Sequence, residues 1–77
     1  MKSKIDIYVI DKVRELRIAH NMSQEELSIQ AGFRSNGFVG QAESLKYNKR
    51  YNVHHINRFA QIFNCSPKEF LPEVPIV

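Results

Sequence analysis

The sequence predicts an all-α domain of five short helices, and three observations carry that prediction. Apolar residues recur at spacings of three and four, as in Val9, Val13 and Leu16 or in Ile56, Phe59, Ala60 and Phe63. Serine precedes two helical stretches, with Glu three positions later, at Ser23 and Glu26 and again at Ser66 and Glu69. Only Ile5, Ile7 and Val9 alternate in the manner of a strand, and the helical pattern from Ile10 to Ala19 joins them without a breaker. A chain of 77 residues holds one such domain, with a core over about 6–71 and a short tail at 72–77. Domains this small bury only about 60% of the surface that their unfolded chains expose, so the narrow apolar stripes must pack on one another.

The first helix is expected to begin between Ser3 and Asp6 and to run to about His20, on a stripe of Ile5, Val9, Val13 and Leu16 with Ile10 beside it. Ser23 and Glu26 can form a reciprocal capping box for the second helix, with Met22 and Leu27 as the hydrophobic staple. Gly32 ends that helix, because only glycine takes the left-handed conformation without a Cβ penalty. Ser35 or Asn36 can cap a third helix whose apolar face is Phe38, Val39, Ala42 and Leu45. Its other face, Asn36, Gly37, Gly40, Gln41 and Ser44, is small or hydrogen-bonding and uncharged. After the loop KYNKRYN, Asn52 can cap a fourth helix carrying Val53, Ile56, Phe59, Ala60 and Phe63, and Asn64 can end it in the left-handed region. The fifth helix is short, with Ser66 as cap, Pro67 in the first position, Glu69 closing the box and Cys65 stapled to Phe70. The expected core is Val9, Val13, Leu16, Leu27, Ala31, Phe33, Val39, Ala42, Ile56, Phe59, Ala60, Phe63 and Phe70.

A composition 43% hydrophobic and 25% charged is that of a globular domain and argues against disorder. One cysteine, Cys65, excludes an intramolecular disulfide and is expected to serve as a small core residue. No apolar run approaches the roughly 18 residues of a membrane span, and Asp6 and Asp11 interrupt any secretory h-region, so a cytoplasmic protein without a membrane partner is expected. His20, His54, His55 and Cys65 lack metal-ligand spacing, and the adjacent His54 and His55 point about 100° apart on a helix. Neither a metal, a cofactor nor an enzymatic activity is expected. The net charge of +3 is concentrated: residues 34–50 hold Arg34, Lys46, Lys49 and Arg50 against Glu43 alone. Such a patch suits phosphates, although a solvated loop is the commoner fate of a run of lysines.

Two short helices joined by a tight turn, with a polar second helix beside a basic loop, have the size and chemistry to enter a DNA major groove. The motif SQEELSIQAG resembles the helix-turn-helix of the lambda repressor-like, or XRE, family, and the similarity extends from about Val13 to Leu71. Val39, Ala42 and Glu43 stand where that family's recognition helix has two apolar residues and a Glu. The interval from Gly32 to Glu43 is about one residue longer than the family pattern and the following loop about two residues longer, which shifts the reading of base-contacting positions by about one residue. The resemblance implies a compact five-helix fold and a structural ion pair between Arg17 and Glu43. It also implies that Gln24 binds a backbone phosphate and braces the recognition helix. Arg14, assigned to the opposite side of the first helix, is expected to face solvent.

Asn36 and Gln41 are the leading candidates for base edges, because amide side chains pair bidentately with adenine. Ser44 is a third, while Gly37 and Gly40 would let the backbone approach DNA closely. Gln24, Arg34, Ser35, Lys46, Tyr47, Lys49 and Arg50 are the expected phosphate contacts. Tyr47 and Tyr51 among these cations also suit stacking on single strands, but with no sheet platform the loop is read as a duplex contact with one tyrosine packed on the core. The expected protein is a sequence-specific double-stranded DNA-binding regulator, a repressor acting as a homodimer through the fifth helix and the PEVPIV tail. Two alternatives remain: an antitoxin that binds a protein toxin and represses its own operon, and an RNA-binding or coactivator module.

Overall fold

The computed structural model describes residues 1–77 as four α-helices and a closing 3-10 turn. The helices are α1 (Lys4–Ala19), α2 (Gln24–Gln30), α3 (Phe38–Glu43) and α4 (Val53–Phe63), and the turn spans Pro67–Phe70. Three of the four helices start on a reciprocal side-chain cap. Ser3 Oγ accepts from Asp6 N–H while Asp6 Oδ2 accepts from Ser3 N–H. Ser23 and Glu26 repeat the exchange at α2, and Asn52 and His55 at α4, where His55 Nδ1 is the acceptor. Gly32 at φ +78° ends α2, and Asn64 at φ +54° ends α4, both in the left-handed region.

The core joins Val9, Ile10 and Val13 of α1 to Leu27 and Ala31, to Val39 and Ala42 of α3, to Phe59, Ala60 and Phe63 of α4, and to Tyr51 and Phe70. Leu16, Phe33 and Ile56 pack against this cluster from half-buried positions rather than inside it. Ile10 is buried where the stripe pointed to Ile5, which lies at the exposed start of α1. Tyr51 is the tyrosine that packs on the core. Its ring meets Phe59 edge-on with centroids 4.7 Å apart, and its hydroxyl has no hydrogen-bond partner. Burial, with the Glu43 carboxylate second, pushes that hydroxyl's pKa up, so it stays protonated.

Four expectations are corrected. Neither Ser35 nor Asn36 caps α3: Gly37 occupies the cap without a side-chain bond, and Ser35 Oγ instead accepts from Gly37 N–H in the preceding turn. The helix therefore starts later than expected, at Phe38, and is only six residues long. Leu45, placed on the apolar face of that helix, lies beyond its end and is 87% exposed. Val53, at the first position of α4, is 79% exposed because the helix turns its apolar face inward only from Ile56 onward. The fifth helix is a 3-10 turn, in which Ser66 Oγ accepts from Lys68 N–H and Glu69 does not return the bond. Pro72 and Pro75 follow closely and leave no room for an α-helix.

Candidate nucleic-acid interface

The second helix of the α2–turn–α3 unit is held by one buried hydroxyl. Ser28, fully buried in α2, donates from Oγ to Gln24 O at 2.9 Å and accepts from Val39 N–H at 3.1 Å. That contact satisfies one of the orphan N–H groups at the start of α3, which has no cap of its own. Val39 and Ala42, fully buried, seat the helix on the core. Nothing in the apolar pattern signals Ser28, since a serine inside a helix reads as surface.

At the other end of α3, Glu43 forms a bidentate pair with Arg17: Nε to Oε2 and Nη2 to Oε1, both at 2.9 Å. Arg17 Nη1 also donates to Met22 O at 2.8 Å, which ties α1 to the residue preceding the α2 cap. Gln24 Nε2 donates to the same Glu43 Oε1 at 2.9 Å. The Gln24 amide therefore bridges α2 to α3 within the protein. Its Oε1 would lie 3.1 Å from a Cβ at position 40, so a side chain there would press on the Gln24 amide. Arg14 is not on the opposite side of α1. Residues three apart share a helical face, and Arg14 Nε lies 3.9 Å from Glu43 Oε1 with its side chain 56% exposed.

The outer side of α3 and of the turn before it carries Asn36 and Gly37, both exposed, and Gln41 and Ser44, half-buried. Asn36 and Gly37 stand before the first helical turn rather than on it. Gly37 has φ −95° and a Cβ there would meet Ser35 Oγ at an ordinary 3.5 Å, so nothing inside the molecule requires a glycine. Arg34 and Ser35 before α3, and Lys46, Tyr47 and Lys49 after it, are exposed. Lys49 Nζ lies 5.6 Å from the centroid of the Phe38 ring, a cation–π approach that leaves the ammonium in solvent. Arg50 is not free in the same way: its Nη1 donates to Asp6 Oδ2 at 3.2 Å, across the chain from α1. Although burial opposes it, bonds from Ser3 and the Arg50 charge hold the Asp6 carboxyl below its usual range.

Two further cations close helix ends and were not anticipated. Arg58 Nη1 donates to Ala31 O at 2.8 Å, at the C-terminus of α2. Lys2 Nζ donates to Ala42 O at 2.6 Å and Ser44 O at 2.7 Å, at the C-terminus of α3. His55, half-buried, closes the cap of α4 and sits edge-on to Phe33, with centroids 4.8 Å apart. Burial, with the charges of His54 and Arg58, lowers its pKa. No group of His, Cys, Asp and Glu is arranged to hold a metal ion, and no helix is long and apolar enough to cross a membrane.

Two helices locked across a tight turn, the second backed by core and ion pair and faced by small polar residues, define a helix-turn-helix DNA-binding domain. The chain belongs to the Cro/C1-type helix-turn-helix DNA-binding domain family, whose model matches residues 12–75. Among solved structures it is similar to the restriction-modification controller protein C.AhdI from Aeromonas hydrophila, at 28% identity and a TM-score of 0.68, covering 84% of this chain and 94% of that one. No curated protein sequence matches it significantly. The chain is a DNA-binding transcription regulator by class.

Proposed function

We propose that this protein is a sequence-specific regulator that binds double-stranded DNA as a homodimer and represses transcription by occupying its operator. The observation that carries the reading is the asymmetry of α3. Its inner side is fixed by Val39, Ala42, Ser28 and Glu43, while its outer side offers uncharged hydrogen-bonding groups between the cations Arg34, Lys46 and Lys49. A rigid support behind small polar residues suits reading base edges, and flanking cations suit phosphates that carry no sequence information. Gln41 and Asn36 are the readers in this scheme, with Ser44 at the edge of the groove, and Gly37 admits a close backbone approach. Arg34, Ser35, Lys46, Tyr47 and Lys49 hold phosphates. Gln24 serves chiefly by bracing α3, and Arg50 reaches DNA only by leaving Asp6.

The homodimer rests on an apolar groove of about 420 Å³ between α4 and the 3-10 turn, lined by Val53, Ile56, Pro67 and Leu71. Val74 in the tail is also exposed. The molecule measures 32 Å along its longest axis. Two copies paired through a two-fold axis would each offer α3 to one half-site of an operator, with half-site centres about 34–36 Å apart, one turn of B-DNA. The likeness to C.AhdI supports a regulatory role and offers a specific one, control of a restriction-modification system, for which adjoining restriction and modification genes would speak.

The test is a selection of binding sites from random duplex DNA, followed by titration of the winner. The expected product is a near-palindrome with half-site centres about 10 base pairs apart, bound by two chains. Gln41→Ala is expected to relax preference at one base pair of each half-site and to cost about 1–3 kcal/mol per bidentate contact, whereas Lys49→Ala weakens all sequences alike. A selection that enriches no sequence would remove the reading.

A further inference from the structure

α3 ends abruptly. At Ser44 the backbone turns extended, with ψ 137°, so the last carbonyls of the helix lose their intrahelical partners. Ser44 N–H reaches back to Gln41 O, but Ala42 O receives its bond from outside, from Lys2 Nζ at 2.6 Å, and Ser44 O receives another from the same ammonium at 2.7 Å. Lys2 is half-buried and precedes α1, 40 residues away from Ala42 in the chain. A cation at a helix C-terminus also opposes the negative end of the helix dipole. The same N-terminal stretch holds the loop after α3, through Asp6 and Arg50. The family match begins at residue 12, so Lys2 and Asp6 both precede the matched residues.

We propose that Lys2 is a positioning residue for DNA reading, fixing the C-terminal end of α3 and with it the aim of Gln41 and Ser44. The inference rests on α3 being the reading helix. Two of the three ammonium donors are spent inside the protein, and both on α3 or the residue that ends it. With the ammonium gone, Ala42 O and Ser44 O turn to water, and the end of a six-residue helix without an N-terminal side-chain cap is free to fray. Fraying at that end displaces Gln41 and Ser44 but not the exposed cations, so specific binding should suffer and non-specific binding should not. The third ammonium donor could instead touch a phosphate directly, and that role has a different signature.

The experiment compares the full chain with Lys2→Met, which keeps the aliphatic stem, and Lys2→Arg, which keeps a cation able to reach helix-terminal carbonyls. Each is titrated with the selected operator and with an unrelated duplex of equal length, over a range of salt. Lys2→Met is expected to lose about tenfold on the operator, the equivalent of one modest charged hydrogen bond. Its binding to the unrelated duplex and its salt slope should be unchanged, and Lys2→Arg should recover most of the loss. In the free protein, amide exchange should quicken at Ser44 and Lys46 while α1 and α4 keep their protection, a readout that needs no DNA. Equal weakening on both duplexes, with a salt slope shallower by about 0.9 per bound chain, would make Lys2 a phosphate contact and overturn the proposal. A wild-type chain that prefers no sequence would sink the DNA reading and this inference together. A wild-type chain that reads its operator while Lys2→Met reads it equally well, with unchanged exchange, would sink only the role given to Lys2.

Discussion

Replacing Ser28 by Ala should uncouple α3 from α2 with almost no change in volume. The substitution deletes one fully buried hydroxyl that donates to Gln24 O and accepts from Val39 N–H. Gln24 O loses little, because the i+4 backbone N–H of α2 remains its partner. Val39 N–H is the group left stranded: it lies in the first turn of α3, buried, with no other acceptor. An unsatisfied buried donor costs about 1–3 kcal/mol. Alanine returns about 0.5 kcal/mol through its better helix propensity. The net loss is then about 1.5 kcal/mol, and a domain of this size loses about 4–8 °C of melting temperature per kcal/mol, which gives about 6–12 °C. Urea unfolding followed by circular dichroism should show a lower midpoint at an unchanged slope. Ser35→Ala is the control, since its Oγ accepts only from the exposed Gly37 N–H and should cost about 0.5 kcal/mol. If Ser28→Ala proves no worse than Ser35→Ala, the hydroxyl is not what ties the two helices together.

Tyr51→Phe removes a buried hydroxyl that has no partner and should leave the protein as stable or up to about 1 kcal/mol more so; a clear loss in thermal melts would mean that the hydroxyl is satisfied in solution. His55 accepts from Asn52 N–H through an unprotonated Nδ1, and its folded pKa lies below the unfolded one. The unfolded chain therefore takes up the proton first, and stability should fall as pH drops from about 6.5 toward the lower folded value. Urea midpoints measured from pH 8 to 5 should show that slope in the wild type and a weaker one in His55→Gln; parallel curves would exclude His55 as the group responsible. Operator affinity should fall by about 10³ between 50 and 200 mM salt if a dimer neutralises on the order of six phosphates. A binding curve that scarcely moves would rule out the cationic rim as the source of affinity.

Where a feature depends on neighbours within one helical turn, the chain states it openly. Ser23 with Glu26, Asn52 before α4, Gly32 and Asn64 at positive φ, and the runs from Val9 to Val13 and from Phe59 to Phe63 were all legible, because caps and amphipathic stripes obey a fixed short period. The motif SQEELSIQAG extended that reach to the helix-turn-helix itself and to the family. Legibility failed first at α3, where the longer turn moved the helix start to Phe38 and left Leu45 outside the helix. A one-residue shift in the start of a six-residue helix redistributes its faces, and the spacing of Phe38, Val39 and Ala42 alone does not say where the helix stops.

By itself, then, the sequence determined the helical class, most of the helix boundaries, the bulk of the core and the kind of molecule to be bound. The family motif pointed to Arg17, Glu43 and Gln24, and only the tertiary structure decided which other polar groups hold the site. Ser28 meets Val39 N–H across 11 residues, Arg58 meets Ala31 O across 27, Lys2 meets Ala42 O across 40 and Arg50 meets Asp6 across 44. No periodicity links such partners. Each bond exists because folding brings an orphan backbone group, or an unpaired charge, within reach of whichever distant side chain the packing of α1, α3 and α4 happens to aim at it.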